Sequence, residues 1–148
     1  VSLSFSVKSR FNVFCDCCRK EGIEPQIVVC KVDHDGHYQI GDVVTQLMSL
    51  PQMPTAIACQ EDGIALPLLF QLERNGFAVP GDISLIGYDD SFYTNDIGLT
   101  TIRQDPAEMA RTAARMTLDL IQGHELSPAF VDVPAQLVVR SSTASVRH

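Results

Sequence analysis

Acidic side chains follow three apolar, strand-like runs in this sequence. Val32 leads into Asp33 and Asp35, Cys59 leads through Gln60 into Glu61 and Asp62, and Tyr88 leads into Asp89 and Asp90. In an open parallel sheet the ligand crevice lies outside the carboxyl ends of the strands, so these acids are predicted on one rim. Ionised carboxylates only accept hydrogen bonds, commonly from two hydroxyls each, which suits a neutral polyol, a sugar or a cationic amine. A phosphorylated ligand is repelled unless Arg10 or Arg103 intervenes. Taken singly, each acid also reads as a helix cap or turn residue, and Asp62 reads so most readily. Three strand ends delivering acids together favour a binding rim.

Other chemistries fit less well. Acids holding Mg²⁺ and accepting a phosphoryl group, as in receiver domains, need a lysine after a late strand, whereas the only lysines are Lys8, Lys20 and Lys31. A Ser-His-Asp hydrolase lacks a G-x-S-x-G elbow, and His124 and His148 follow no strand end. No Gly-rich nucleotide loop is present. His34 and His37 in DHDGH supply too few ligands for a metal centre. The five cysteines, Cys15, Cys17, Cys18, Cys30 and Cys59, show no repeated C-x-x-C pairs and read as small buried thiols in a reducing compartment. No catalytic residue, metal or cofactor is expected.

Composition agrees with a binding domain. The chain has 148 residues, 45% of them hydrophobic, enough for one core. With 11 Lys+Arg against 18 Asp+Glu the net charge is −7, which disfavours holding DNA unaided. No run approaches the roughly 20 apolar residues of a membrane span, and VSLSFSVKSR lacks the apolar stretch of a secretory signal. A cytoplasmic protein is expected. The start at Val1 reads as that of a fragment or processed piece.

The positioning elements are legible as an alternation of helix and strand, the pattern of parallel strands with crossover helices. Arg10 to Glu21 reads as a helix closed by Gly22, and Ile27 to Val32 as a strand. Asp42 to Leu50 reads as a helix with Val43, Val44, Leu47 and Met48 on one face, ended by Pro51 and Pro54. Thr55 to Cys59 is a strand, Asp62 to Asn75 a helix closed by Gly76, and Ile83 to Tyr88 a strand. Pro67 is awkward inside its helix because it removes a backbone donor. A loop spans Ser91 to Gly98 and an extended piece Leu99 to Gln104. A helix from Pro106 to Gln122 is capped by Asp105, striped by Met109, Ala113, Met116 and Leu120, and closed by Gly123. Leu137 to Arg140 is the last strand, and STASVRH reads as a frayed tail.

These elements carry a resemblance. The run PTAIACQEDGIALPLLFQLERNGFAVPGDISLIGYDD, followed by LTTIRQDPAEMARTAARMTLDLIQG and PAQLVVRSSTA, closely resembles the effector-binding domain of the lac/gal repressor (LacI/GalR) family of bacterial transcription regulators. It covers most of Arg10 to Ala144. Periplasmic sugar-binding proteins share the two-lobed fold, but TTIRQD and LVVRSST resemble the repressor branch. The resemblance implies an α/β fold: a three-layer open parallel sheet with helices on both faces, a periplasmic-binding-protein-like type I lobe, present as a partial domain. Residues 1–104 would be an N-terminally truncated second lobe. Residues 105–139 would be the helix and strand that complete the first lobe, and 140–148 the return to the second lobe.

It also implies function. In that family two lobes close on a small effector, a sugar, polyol or nucleoside-like molecule, and alter a DNA-binding headpiece that acts as a homodimer; the headpiece is absent from this chain. Arg10, four residues before Phe14, matches a ligand-contacting arginine, and Asp89 an aspartate that accepts sugar hydroxyls. Gln104 falls at a lobe crossover. Glu61 stands where Asn is usual and Asp35 near a stacking aromatic, two departures that make the pocket more acidic; Asp62 completes the candidate set. Tyr88, Phe92 and Tyr93 are candidates for stacking on a sugar face. Leu66, Leu69, Phe70 and Phe92 are candidate interface residues. The stripe of Met109, Met116, Leu120 and Ile121 is expected to pack on the second-lobe sheet or on another chain. A transport-type solute-binding protein is the alternative, and a Mg-dependent receiver-like domain a third reading.

Overall fold

A computed structural model describes residues 5–145. Its first element, α1 (Phe5–Lys20), starts earlier than the sequence suggests and ends where Gly22 takes φ +76°. Arg19 and Lys20 lie in its last turn, where cations oppose the negative end of the helix dipole. No strand forms over residues 27–32, which correct the expected first strand to an extended loop with a single antiparallel bridge from Val32 to Tyr38. A strand exists only where its backbone finds a partner chain. Here Gln46 substitutes for one, with its side chain accepting from Val29 N at 3.3 Å and donating to Val29 O at 3.0 Å.

The remaining elements follow closely. They are α2 (Ile40–Met48), β1 (Ala56–Ala58), α3 (Asp62–Arg74), β2 (Ser84–Tyr88), α4 (Thr94–Ile97), β3 (Thr100–Arg103), α5 (Pro106–Ile121) and β4 (Gln136–Val138). The helix α2 begins two residues early because Ile40 continues the buried i, i+3, i+4, i+7 face of Val43, Val44 and Leu47, whereas Met48 turns outward. The short α4 lies inside the expected loop. Pro67 sits within α3, so Gly63 O loses its helical donor while the helix continues.

The four strands form one sheet in the order β1-β2-β3-β4. β1, β2 and β3 are parallel; β4 runs antiparallel to β3, pairing Thr101 with Val138 and Arg103 with Gln136, which corrects the all-parallel expectation. Residues 122–135, with Pro128 and Pro134, form no helix or strand and turn the chain back along the sheet edge. Leu85 and Gly87 of β2 point to the face covered by α3, which α2 backs; the core gathers Ile64, Ala65, Leu68, Leu69 and Leu72 of α3 with the buried residues of α2 and with Ile83, Leu85 and Leu99. Tyr88 points to the opposite face, where α1 meets it. The interleaving of helices and parallel strands is thus the α/β arrangement expected.

Two regions differ from expectation in burial. The helix α5 is punctuated as its sequence predicts, with Asp105 accepting from Glu108 N at 2.8 Å and Pro106 in its first turn, yet none of its residues is buried. The tail is not frayed at its start: Ser142 is 3% exposed, its hydroxyl donates to Leu85 O at 2.6 Å and accepts from Thr100 N at 2.7 Å, and its backbone bonds Gly98 O and Leu85 N. Residues 146–148 of that tail lie outside the described residues. Replacing Ser142 by Ala leaves a buried N–H and carbonyl unpaired, so Ser142→Ala is expected to cost about 1–3 kcal/mol, read as a lower urea midpoint with unchanged slope.

Candidate functional site

The carboxyl ends of β2 and β3 and the first half of α1 enclose a cavity of about 510 Å³ lined by Ser6, Ser9, Arg10, Tyr88, Asp89 and Gln104. Ser6, Ser9 and Arg10 lie at i, i+3 and i+4, one face of α1. The Arg10 guanidinium carbon stands 3.9 Å from the centre of the Tyr88 ring, a cation–π contact that carries about 0.5–2 kcal/mol. Arg10 makes no hydrogen bond or ion pair among the described residues, and its buried Nε has no acceptor. The cation is therefore held by a ring rather than neutralised by a carboxylate.

Across from it, Asp89 Oδ1 accepts from Gln104 Nε2 at 3.1 Å, and Asp89 N donates to Ile102 O at 2.8 Å. Asp89 and Asp90 both have positive φ, +102° and +55°, backbone that costs side-chain-bearing residues about 1–3 kcal/mol each. The paired turn sends the two carboxylates apart. Asp90 turns inward: its side chain is 10% exposed and accepts from Arg140 at 2.7 Å, from Thr94 Oγ1 at 2.9 Å and from Arg103 Nε. Burial pushes the Asp90 carboxyl up, but the hydrogen bonds from Arg140, Arg103 and Thr94 together outweigh it and hold the group below its ordinary value.

Three sequence-predicted residues, Arg10, Asp89 and Gln104, thus share one cavity; the other three do not line it. Asp62 is 1% exposed, with Oδ2 accepting from Ser91 N at 2.7 Å and Oδ1 from Thr101 Oγ1 at 2.8 Å, so its chemistry is given over to the fold. Glu61 precedes α3 without capping it and accepts from the Tyr38 hydroxyl at 2.7 Å. That bond, with burial, pushes the Tyr38 phenol up to about 12. Asp35 is exposed in the 33–37 turn, where Asp33 Oδ1 accepts from the backbone N–H groups of Asp35 and His37. Asp33, Asp35 and His37 bring one potential ligand atom each within 4.8 Å, in an exposed turn those bonds already explain. Ser6 and Ser9 were not expected at the site; their spacing to Arg10 was the available signal.

Among the candidate interface residues, Leu69 is 6% exposed and belongs to the core, a correction set by its rotation on α3 toward β2. Leu66 is half-buried against that core, whereas Phe70 is exposed and Phe92 is 84% exposed, edge-on to Tyr93 at 5.3 Å. The cysteines are all free; only Cys15 is fully buried, and burial pushes the Cys59 thiol up to about 12. No helix among the described residues is long and apolar enough to cross a membrane.

A sheet with its ligand-type cavity at the strand carboxyl ends defines a class, and residues 4–143 match the periplasmic binding protein-like domain; the chain belongs to that family. Within it, the similar proteins are transcriptional regulators of the LacI family. The chain is 40% identical over 103 residues to the HTH-type transcriptional repressor CytR of Escherichia coli (strain K12), covering 68% of this chain and 30% of CytR. A LacI family transcriptional regulator from Bifidobacterium animalis subsp. lactis superposes with a TM-score of 0.80 at 26% identity, covering 95% of this chain and 51% of that one. A LacI family regulator from Enterococcus faecalis V583 with bound ribose gives 0.76 at 26% identity, covering 98% and 52%. The chain therefore spans about a third of the length of the curated relative and about half that of the solved ones.

Because the folded Asp90 carboxyl lies below its unfolded value, ionised Asp90 stabilises the fold fully above about pH 4, and this contribution is lost as pH falls through the folded value. Asp90→Asn is accordingly expected to lower Tm by a constant amount at neutral and mildly acidic pH. The deficit should shrink below about pH 4 as the wild type is itself protonated, a trend that calorimetry at stepped pH reads.

Proposed function

We propose that this chain is the ligand-sensing portion of a DNA-binding transcriptional repressor that answers to a small polyhydroxylated effector. The carrying observation is the pairing, in one cavity, of a guanidinium, Arg10, that among the described residues has a ring but no hydrogen-bond acceptor, with a carboxylate, Asp89, whose one side-chain donor among those residues is the Gln104 amide. A hydroxyl accepts from the first and donates to the second, so a sugar or related polyol satisfies both ends with one chemistry. Tyr88 adds a ring beside them. An amine would leave Arg10 unmatched, and a phosphate would face Asp89. The bound ribose of the Enterococcus faecalis regulator supports this class of ligand.

In this reading residues 1–104 belong to one lobe and 105–139 to the segment that completes the other, returning at 140–148. That no α5 residue is buried supports it: Met109, Met116 and Leu120 share one apolar stripe, and Met109 and Leu120 are exposed. Effector binding then shifts a population between open and closed lobes of the whole protein, in the cytoplasm, with operator DNA gripped by a headpiece outside this chain. No catalytic step is needed. Phe70 and Phe92 serve a homodimer.

A thermal-shift screen on the parent protein with D-ribose, other pentoses and hexoses, polyols, amines and nucleosides tests the reading. A sugar, polyol or nucleoside at a hundredfold excess over its Kd is expected to raise Tm by about 5 °C or more. Both Asp89→Ala and Arg10→Ala should abolish the rise; stabilisation by amines alone, retained in Arg10→Ala, would sink it. For the interface, sedimentation of Phe92→Asp should show a shift toward monomer, and an unchanged profile removes Phe92 from the dimer face.

A further inference from the structure

Asp89 reaches the cavity on backbone that few non-glycine residues adopt. Such a conformation persists where surrounding contacts over-determine it, and Asp89 supplies few of its own: one amide donor to its side chain and one backbone bond. The contacts are made by its neighbour. Asp90 accepts from Arg140, Arg103 and Thr94, and Arg140 is itself fixed by a second bond, donating to Leu99 O at 2.7 Å. The two bonds leave from separate nitrogens of one planar guanidinium, Nη1 and Nη2, a fixed fork that a lysine's single ammonium nitrogen does not present.

We propose that Asp90 is the positioning residue for Asp89: its clamp between Arg103 and Arg140 fixes the turn that aims the Asp89 carboxylate into the cavity. The inference rests on the reading of Asp89 as the effector's acceptor and extends it to regulation. Arg103 and Gln104 are the last residues before the α5 excursion, and Arg140 follows β4, where the chain comes back from it. Both chain crossings therefore end on the same pair of aspartates, Gln104 on Asp89 and the two arginines on Asp90. A displacement of residues 105–135 relative to the sheet pulls first on Arg103 and Gln104, while Arg140 stands just beyond β4, which is paired with β3. Asp90 passes it to Asp89. By reciprocity, a ligand held on Asp89 biases where that segment sits.

The Gln104 side-chain amide reports the geometry without any ligand, since its Nε2 donates to Asp89. Nuclear magnetic resonance of the whole chain, with the Gln104 amide signals assigned by their loss in Gln104→Ala, takes Asp89→Ala as the unbonded reference. Arg140→Met and Arg103→Gln are expected to move the Gln104 signals toward that reference. Leu47→Ala, a core cavity on α2, should lower Tm while leaving them at wild-type values. Gln104 signals that stay put in folded Arg140→Met and Arg103→Gln overturn the proposal. Should Arg140→Met fail to fold, Arg103→Gln decides, because Arg103 is about half exposed and its loss removes one arm of the clamp. The two readings fail separately: a shift with no stabilising sugar supports the positioning role and counts against the effector assignment, whereas a stabilising sugar with no shift overturns the positioning role alone.

Discussion

A carboxylate cut off from water must be met by donors, and the way Asp62 is met sets most of what surrounds the cavity. Its backbone opens α3, where the positive end of the helix dipole favours an anion. Its two oxygens reach away from that helix to Ser91 N, just past the Asp89–Asp90 turn, and to Thr101 of β3. One side chain thereby joins a helix start, a turn and a neighbouring strand. The junction is tight enough that residue 87 has no room for a side chain: a Cβ there would fall 2.1 Å from Asp62 Oδ1 and 3.1 Å from Leu99 Cδ2. Gly87 is the condition for α3 to approach β2, and that approach is the condition for Asp62 to hold the turn.

The punctuation of the helices was legible because it is local. Asp105 and Pro106 open α5, Gly76 and Gly123 follow helices at positive φ, and the apolar spacing of α2 names its buried face. Pairing was not legible, because it depends on what lies alongside. Ile27 to Val32 has the composition of a strand but, apart from the single bridge from Val32 to Tyr38, finds no partner strand among the described residues, and the Gln46 side chain meets its backbone at Val29; β4 pairs in the direction its return path allows. The acidic rim divides the same way. Strand-end acids were visible in order, yet Asp62 and Asp89 are the same residue in similar settings; the first turns inward to Ser91 N and Thr101 Oγ1, which the absence of a side chain at Gly87 permits. On α3, the adjacent Leu69 and Phe70 differ by one step of helical rotation, which puts one in the core and the other on the surface.

The C-terminal segment shows how a sequence that looks loose becomes ordered. Residues 140–144 contain no regular element, but Arg140, Ser142 and Thr143 each bond the end of α4 or the strands β2 and β3, with Thr143 Oγ1 lying 3.0 Å from Thr100 Oγ1. Hydroxyl side chains suit this work because each both donates and accepts, so a short stretch can satisfy edge groups that a strand would otherwise have to meet. The segment is thus a seam across the sheet, and the part of the chain between its two ends, α5 included, is the part with least burial.

Charge distribution connects these observations to ligand choice. Three arginines approach the Asp89–Asp90 turn, and two of them, Arg103 and Arg140, are bound by Asp90. Asp90 therefore contributes little unopposed negative field to the cavity even though the chain carries −7. Among the described residues, what the cavity presents is Arg10, stacked on Tyr88 with no hydrogen-bond acceptor, and Asp89, with one amide donor. A balanced pair of this kind selects against net charge on the guest in either sense, because a charged guest satisfies one group while opposing the other. A molecule whose every polar group both donates and accepts meets no such conflict, and hydroxyls on a compact carbon frame are the simplest groups that do so.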